Sequence, residues 1–87
     1  MGIRVLYVLR KKAGLTQLEL ATRLGGIHQS EISWAESGYT VRCMQQLMDF
    51  FAKHPSTKEI RLTEPNDLLL DWDTFRDRQS AEATAAG

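Results

Sequence analysis

The chain has 87 residues, a length that predicts one domain with a small core. It carries 11 Lys and Arg against 11 Asp and Glu, and its single cysteine, Cys43, excludes a disulfide within the chain. The sequence shows no signal peptide and no apolar run of about 18 residues, so we expect a cytoplasmic protein without a membrane span.

The zero net charge hides an asymmetry along the chain. Residues 1–61 contain nine Lys and Arg and five Asp and Glu, whereas residues 62–87 contain two and six. The first part therefore carries a charge of +4 and the second a charge of −4. Two interpretations of the basic part stand: a surface that faces a polyanion, or an ordinary solvated surface.

Two short helices are predicted near the start of the chain. The first covers 3–13, where apolar residues recur every three or four positions, as one face of a helix requires. These residues are Ile3, Leu6, Leu9 and Ala13. The second starts at Gln17, because Thr16 and Glu19 have the spacing of a capping box, and it ends at Gly25-Gly26.

Two more helices are predicted before Pro55. The third runs from His28 or Gln29 to about Ser37, and Gly38 can take the left-handed conformation that ends it. The fourth, capped by Thr40, runs through Lys53, because the residue before a proline resists helical geometry. We interpret its stripe as core packing; the stripe comprises Met44, Leu47, Met48 and Phe51.

Beyond Pro55 the patterns are weaker. Alternating polar and apolar residues at 58–63 allow a short edge strand, and Pro65 suits the first turn of a fifth helix that ends near Gln79. The apolar stripe of this helix is predicted to mediate dimerisation and comprises Leu68, Leu69, Trp72 and Phe75. Its acidic residues are interpreted as a solvated face and include Asp67, Asp71 and Asp73.

These elements predict an all-α fold, a compact bundle of four to five helices. Residues 1–55 are expected to form the main domain. Residues 56–79 are expected to form an extension used for dimerisation, and the small residues of 80–87 a flexible tail.

Two short helices joined by a tight glycine turn form a helix-turn-helix unit, whose second helix enters the major groove of DNA. Gln17 lies at a helix N-terminus, where free amides favour a phosphate. Gln29 can pair bidentately with adenine, and Ser30 can bond to several bases. Arg42, just after the Gly38 loop, is a further candidate for a phosphate contact. These residues predict a double-stranded DNA binder.

The pattern over about residues 3–54 resembles the Cro and phage-repressor class of helix-turn-helix regulators, also called the XRE family. The motifs that carry the resemblance are Leu9-Arg10, Gly14-Leu15-Thr16-Gln17, Leu20-Ala21, Leu24-Gly25, Gln29-Ser30-Glu31-Ile32-Ser33 and Glu36-Ser37-Gly38.

The resemblance implies a fold like that of lambda repressor and a homodimer on a two-fold operator. It implies that Gln17 contacts phosphate, that Gln29, Ser30 and Trp34 meet bases or sugar-phosphate, and that Arg10 pairs with Glu36. Ser33 belongs to the same motif and is included among the DNA-binding candidates.

Three features depart from the family pattern: a second glycine in the turn, Trp34 where Arg, Lys or Gln is common, and the sequence of 55–87. Trp34 has two interpretations, packing against Tyr39 or Tyr7, or contact with a thymine methyl or sugar edge. His28 either donates to a phosphate or is simply an exposed residue at a helix start.

We therefore expect a transcriptional regulator, a repressor, and not an enzyme. The two histidines and Cys43 lack the spacing of a metal site, and no cofactor is expected. A DNA-binding antitoxin that also binds a toxin protein is the main alternative, because Asp67–Asp77 could cover a basic surface. A third hypothesis is an activator whose acidic C-terminal segment contacts RNA polymerase.

Overall fold

The computed structural model describes residues 3–86, and side chains through residue 80. The elements in chain order are α1 (Val5–Lys12), α2 (Gln17–Leu24), α3 (Gln29–Glu36), α4 (Met44–Lys53), a 3₁₀ helix (Pro65–Leu69) and α5 (Trp72–Ala86). The predicted all-α fold is confirmed. None of the helices within residues 3–86 combines the length and the apolar character that crossing a membrane requires.

One hydrophobic core joins the helices from both ends of the chain. Its fully buried side chains include Leu6, Leu9, Leu20, Ile32, Leu47, Phe51, Leu68 and Phe75. Most of them belong to the predicted stripes. Ile3 was predicted for the stripe of α1 but lies outside the core, because α1 begins two residues later than predicted; Ile3 is 55% exposed, and Val5 is buried in the core.

The start of α2 has the predicted capping box. The hydroxyl of Thr16 accepts from the amide of Glu19 at 3.1 Å, and the Glu19 carboxylate accepts from the amide of Thr16 at 2.9 Å. Two hydrogen bonds lower the pKa of Glu19 below its ordinary value: the larger effect comes from the backbone of Thr16, and the smaller from its side chain. Gly25 and Gly26, which end α2, both have positive φ, 74° and 67°. The second glycine of the turn therefore has a backbone conformation that glycine adopts more readily than other residues.

The prediction that Thr40 caps α4 is wrong. The helix begins at Met44, with Cys43 as its N-cap residue and no hydrogen bond from a capping side chain. Cys43 and Met44 are both buried, and their packing in the core places the first turn of α4 there. Thr40 stays exposed in the loop that follows Gly38.

The predicted edge strand at 58–63 is not formed. Successive turns occupy this region instead: Lys58 donates to the carbonyl of His54 at 2.8 Å, and Ile60 donates to that of Thr57 at 2.9 Å. The two apolar residues of the alternating pattern, Ile60 and Leu62, both pack against the core, and the polar residues between them do not. The alternating pattern therefore reflects a half-buried irregular segment.

The predicted fifth helix is divided into the 3₁₀ helix and α5. Between them the backbone pairs with the start of the chain: Val5 donates to the carbonyl of Leu70 at 2.9 Å, and Trp72 donates to that of Ile3 at 2.7 Å. These bonds hold Leu70 in an extended conformation and interrupt the helix. Helix α5 runs to Ala86, beyond the end predicted at Gln79; the last residue of the predicted tail, Gly87, lies outside the described residues.

Two residues of the predicted dimerisation stripe are not at the surface. Leu68 and Phe75 are 0% exposed, because they fill the core shared with α1, and they cannot contact a partner in this fold. Leu69 and Trp72 are half-buried.

The interpretation of Asp67 as part of a solvated face is also wrong, since the residue is 1% exposed. Its carboxylate accepts from the amide and hydroxyl of Thr63 at 2.8 and 2.9 Å, and from Arg78 Nη2 at 3.0 Å. Burial raises the pKa of Asp67, but the bonds from Thr63, Arg78 and Glu64 together hold it below its ordinary value. Asp67 thus caps the 3₁₀ helix and holds α5.

Candidate DNA-binding surface

Helix α3 has a buried face and an open face. Ile32 and Ala35 are 0% exposed in the core. Gln29 and Ser30, in the first turn, are exposed, and no hydrogen bond within the described part of the chain engages their side chains. Ser33, one turn further along, is half-buried. The structure therefore leaves the two predicted base-contacting side chains free to bind an external partner.

The start of α3 is held by Glu31, a contact that the sequence analysis missed. One carboxylate oxygen accepts from the amide of His28 at 3.0 Å, and the other accepts from Arg42 Nε at 2.9 Å. The bond from Arg42 lowers the pKa of Glu31 most, and the bond from the His28 backbone lowers it further. The bond to Glu31 in turn raises the pKa of Arg42. The spacing of His28 and Glu31, three residues apart before an apolar position, was the available signal.

Arg42 and His28 lie at this same end of α3. The side chain of Arg42 is 73% exposed although it bonds to Glu31, which is 13% exposed. Its Nη2 atom lies 3.5 Å from the carbonyl oxygen of Gly26. His28 is exposed as the N-cap residue. Two of the predicted phosphate contacts are thus brought together beside Gln29.

A buried ion pair joins α1 to α3. Arg10 donates to both carboxylate oxygens of Glu36 and, through Nη1, to the carbonyl of Leu15 at 2.9 Å. Gln17 Nε2 also donates to Glu36, at 3.1 Å. The pair implied by the family resemblance is therefore present, and it extends to the residue predicted to contact phosphate at the start of α2.

Trp34 lies on the open side of α3 and is 56% exposed. With Tyr39, Thr40 and Val41 it lines a shallow hollow of about 410 Å³. Tyr7, the other predicted packing partner, lines a different hollow with Ser33. Trp34 thus lies beside Tyr39 while more than half of its surface remains available.

The described side chains contain neither a cluster of metal-binding residues nor an exposed thiol. Among them no group of three or more His, Cys, Asp or Glu residues could hold a metal ion. Cys43 is buried, and this burial raises the pKa of its thiol, which leaves it a poor nucleophile.

Comparison with known proteins gives one match. Residues 6–41 match a family model described as helix-turn-helix, and this range includes most of α1, all of α2 and α3, and the loop that leads to α4. No curated protein and no solved structure matches the chain. Because the matched range contains the glycine turn and both helices that flank it, residues 6–41 form a helix-turn-helix unit of the XRE/Cro type, a family of DNA-binding transcription regulators.

Proposed function

We propose that the protein is a sequence-specific repressor that binds a two-fold operator in double-stranded DNA as a homodimer. The supporting observation is the exposure of Gln29 and Ser30 in the first turn of α3, without partners in the described chain. In a helix-turn-helix unit, the N-terminal residues of the second helix face the base edges. Gln29 then pairs with N6 and N7 of an adenine, and Ser30 bonds to a neighbouring base.

In this proposal other residues of the surface hold the duplex in register. Gln17 at the start of α2, and His28 and Arg42 at the start of α3, contact phosphates on the edges of the groove. Ser33 and Trp34 follow Gln29 and Ser30 along α3 and meet the sugar edge or a thymine methyl. Phosphate contacts orient the protein, and the residues of α3 supply the sequence preference.

A homodimer follows from the small size of one reading helix. The first turns of α3 contact only about four base pairs, too few to select one site among the many in a genome. Two-fold pairing places two such helices about 34 Å apart on one side of the duplex. Of the residues predicted for the interface, Leu69 and Trp72 keep exposed surface and remain our candidates. Sedimentation of the full chain tests this, and a monomer at all concentrations in the presence of operator would contradict it.

Repression needs no further chemistry, because a bound dimer that overlaps a promoter excludes polymerase from it. The test starts with purified full-length protein and a library of random duplexes, from which bound sequences are recovered. We expect an inverted repeat whose half-sites are separated by about one helical turn. If no sequence is enriched, sequence-specific binding is contradicted.

Gln29→Ala then tests the base contact. Discrimination between the recovered site and a site with a changed adenine should fall by about 1–3 kcal/mol per bidentate contact. Gln45→Ala is the matched control, because the amide of Gln45 is exposed on α4 and bonds to Asp49 of the same helix. Equal discrimination by Gln29→Ala and the unmodified protein would exclude base recognition by Gln29.

An antitoxin that also binds a toxin is the second candidate. Asp73 and Asp77 are exposed one turn apart on α5, where Asp73 pairs with Arg76 at 3.2 Å, and the two carboxylates suit a basic protein partner. Co-expression with the product of a small neighbouring gene should give a complex on size-exclusion chromatography, weakened when both residues are changed to Asn. If this assay shows no complex and no neutralisation, that toxin partner is excluded.

A further inference from the structure

A hollow of about 370 Å³ lies where the start of α1, the start of α2 and α3 meet. We call it the Arg4 hollow; its polar lining comprises Arg4, Tyr7, Gln17, Ser33, Glu36 and Ser37. We propose that it is the seat of one backbone phosphate of the bound duplex and that Arg4 supplies its charge. This inference rests on the proposed function and adds a contact outside the predicted DNA-binding residues.

The position of the Arg4 hollow suits a phosphate that borders the major groove. Ser33 follows Gln29 by four residues and Ser30 by three, so it continues the helix face that carries the base-contacting side chains. Gln17 begins α2; the amide of Glu19 is bonded to the Thr16 hydroxyl, whereas the amides of Gln17 and Leu18 have no acceptor within the helix, as an anion site at a helix N-terminus requires. A duplex held against Gln29 and Ser30 therefore brings a sugar-phosphate strand to the mouth of the hollow.

Arg4 differs from the other partly buried arginines of the described chain. Arg10 pairs with Glu36 and Arg78 pairs with Asp67, whereas Arg4 has no carboxylate within 4 Å among the described side chains. Its Nη1 donates to the carbonyl of Leu69 at 3.0 Å. A half-buried positive charge without a counter-charge is electrostatically costly, and an external anion would offset that cost.

The backbone around Arg4 fixes its guanidinium in place. Gly38 has a φ of 102°, and a Cβ atom built on it would lie 3.0 Å from Arg4 Nη2. The planar group thus lies against the glycine backbone while it bonds to Leu69. An arginine held in this way loses little conformational entropy when it binds a phosphate.

The remaining lining of the Arg4 hollow does not cancel its charge. Glu36 is there, but Arg10 bonds both of its carboxylate oxygens, and Gln17 bonds one of them. The other polar groups are the hydroxyls of Tyr7, Ser33 and Ser37; those of Tyr7 and Ser33 can donate to phosphate oxygens, whereas that of Ser37 donates to the carbonyl of Ser33 at 3.1 Å. One fixed cation with several neutral donors matches the single charge of a phosphodiester.

The salt dependence of DNA binding provides the main test. Arg4→Gln should weaken binding of the recovered site and of an unrelated duplex by the same factor. It should also reduce the slope of log affinity against log salt by about 0.9, the value for one lost phosphate contact. Arg4→Lys, which keeps the charge, should retain most of the slope. Arg76→Gln is the control, because Arg76 is exposed on α5 and should leave the slope unchanged.

Arg4 also bonds to Leu69, so a second variant leaves Arg4 in place. Ser37→Asp puts a carboxylate into the Arg4 hollow and should weaken both duplexes by about 10-fold through charge repulsion. Ser37→Asn, which matches the aspartate in size but carries no charge, should weaken binding much less than Ser37→Asp does. Thermal unfolding of each variant confirms that it is folded before binding is measured.

The outcomes separate this inference from the proposed function. An unchanged slope for folded Arg4→Gln, or unchanged binding by Ser37→Asp, would overturn the phosphate seat, while a loss of discrimination by Gln29→Ala would still support the regulator. No binding of any duplex by the unmodified protein would overturn the proposed function itself. A thermal shift with inorganic phosphate that Arg4→Gln abolishes, together with an unchanged DNA slope, would assign the hollow to a free anion instead.

Discussion

Arg10 on α1 and Glu36 at the end of α3 form an ion pair whose side chains are only 9% and 8% exposed. Since Gln29 and Ser30 lie on the same helix as Glu36, this pair sets the position of the turn that carries the proposed base contacts relative to α1. Gln17 shares the Glu36 carboxylate, so the start of α2 belongs to the same network. The network therefore joins the first three helices through one carboxylate.

The first prediction concerns this ion pair. Glu36→Ala leaves the Arg10 charge buried without a partner and should lower the free energy of unfolding by about 3–5 kcal/mol. The paired replacement Arg10→Met with Glu36→Leu removes both charges and should cost less. Urea denaturation followed by circular dichroism measures both variants. An equal or larger loss in the paired variant would show that the charge left behind is not the main cost.

The second prediction concerns the buried carboxylate that holds α5. Asp67→Ala removes the acceptor of Thr63 and Arg78 and should lower the free energy of unfolding by about 1.5–3 kcal/mol. Asp77→Ala, an exposed change on α5, should have little effect. Similar unfolding midpoints for the two variants would contradict the structural role of Asp67.

The third prediction is a pH dependence that arises from Asp67. Its pKa in the folded chain lies below the ordinary value of about 3.9, so the unfolded chain binds its proton more readily. The contribution of Asp67 to stability is therefore complete above about pH 4 and is lost as the pH falls toward its folded pKa. Asp67→Asn should show a smaller decrease in unfolding free energy between neutral and acid pH. Parallel pH profiles for both proteins would refute this.

The fourth prediction distinguishes the two interpretations of Trp34. More than half of this side chain is exposed, so Trp34→Ala should change the unfolding midpoint little. If Trp34 contacts a thymine methyl or a sugar edge, the same variant should bind operator more weakly, and Trp34→Phe should bind better than Trp34→Ala. A large loss of stability with unchanged DNA binding would instead favour packing against Tyr39.

The fifth prediction concerns the boundary expected at residue 55. A chain that ends there lacks Leu68 and Phe75, both fully buried in the core that includes Val5 and Leu6. Removal of residues 56–87 should therefore unfold the helix-turn-helix unit, as loss of helical circular dichroism would show. A cooperative thermal transition in the shortened chain would establish residues 1–55 as an independent domain.

The order and bounds of α2 and α3 were predictable because their signals are local. The Thr16–Glu19 capping box consists of bonds between residues three positions apart, and Gly25 and Gly26 supply the positive φ that the turn needs. The exposure of Gln29 and Ser30 followed as well, since Ile32 and Ala35 mark the buried side of the same helix. The additional role of Gln17 as a donor to Glu36 was not predictable, because it depends on how two helices meet.

By itself, the sequence determined the helix-turn-helix segment, because bonds and apolar spacing within a few residues specify each helix and the turn. Only the tertiary structure decided the region after Pro55, where contacts join residues far apart in the chain. Pairing of Ile3 with Trp72 interrupts the predicted fifth helix, and Arg78 helps to stabilise Asp67 inside the fold. Burial and charge compensation depend on which distant atoms meet, and no local pattern contains that information.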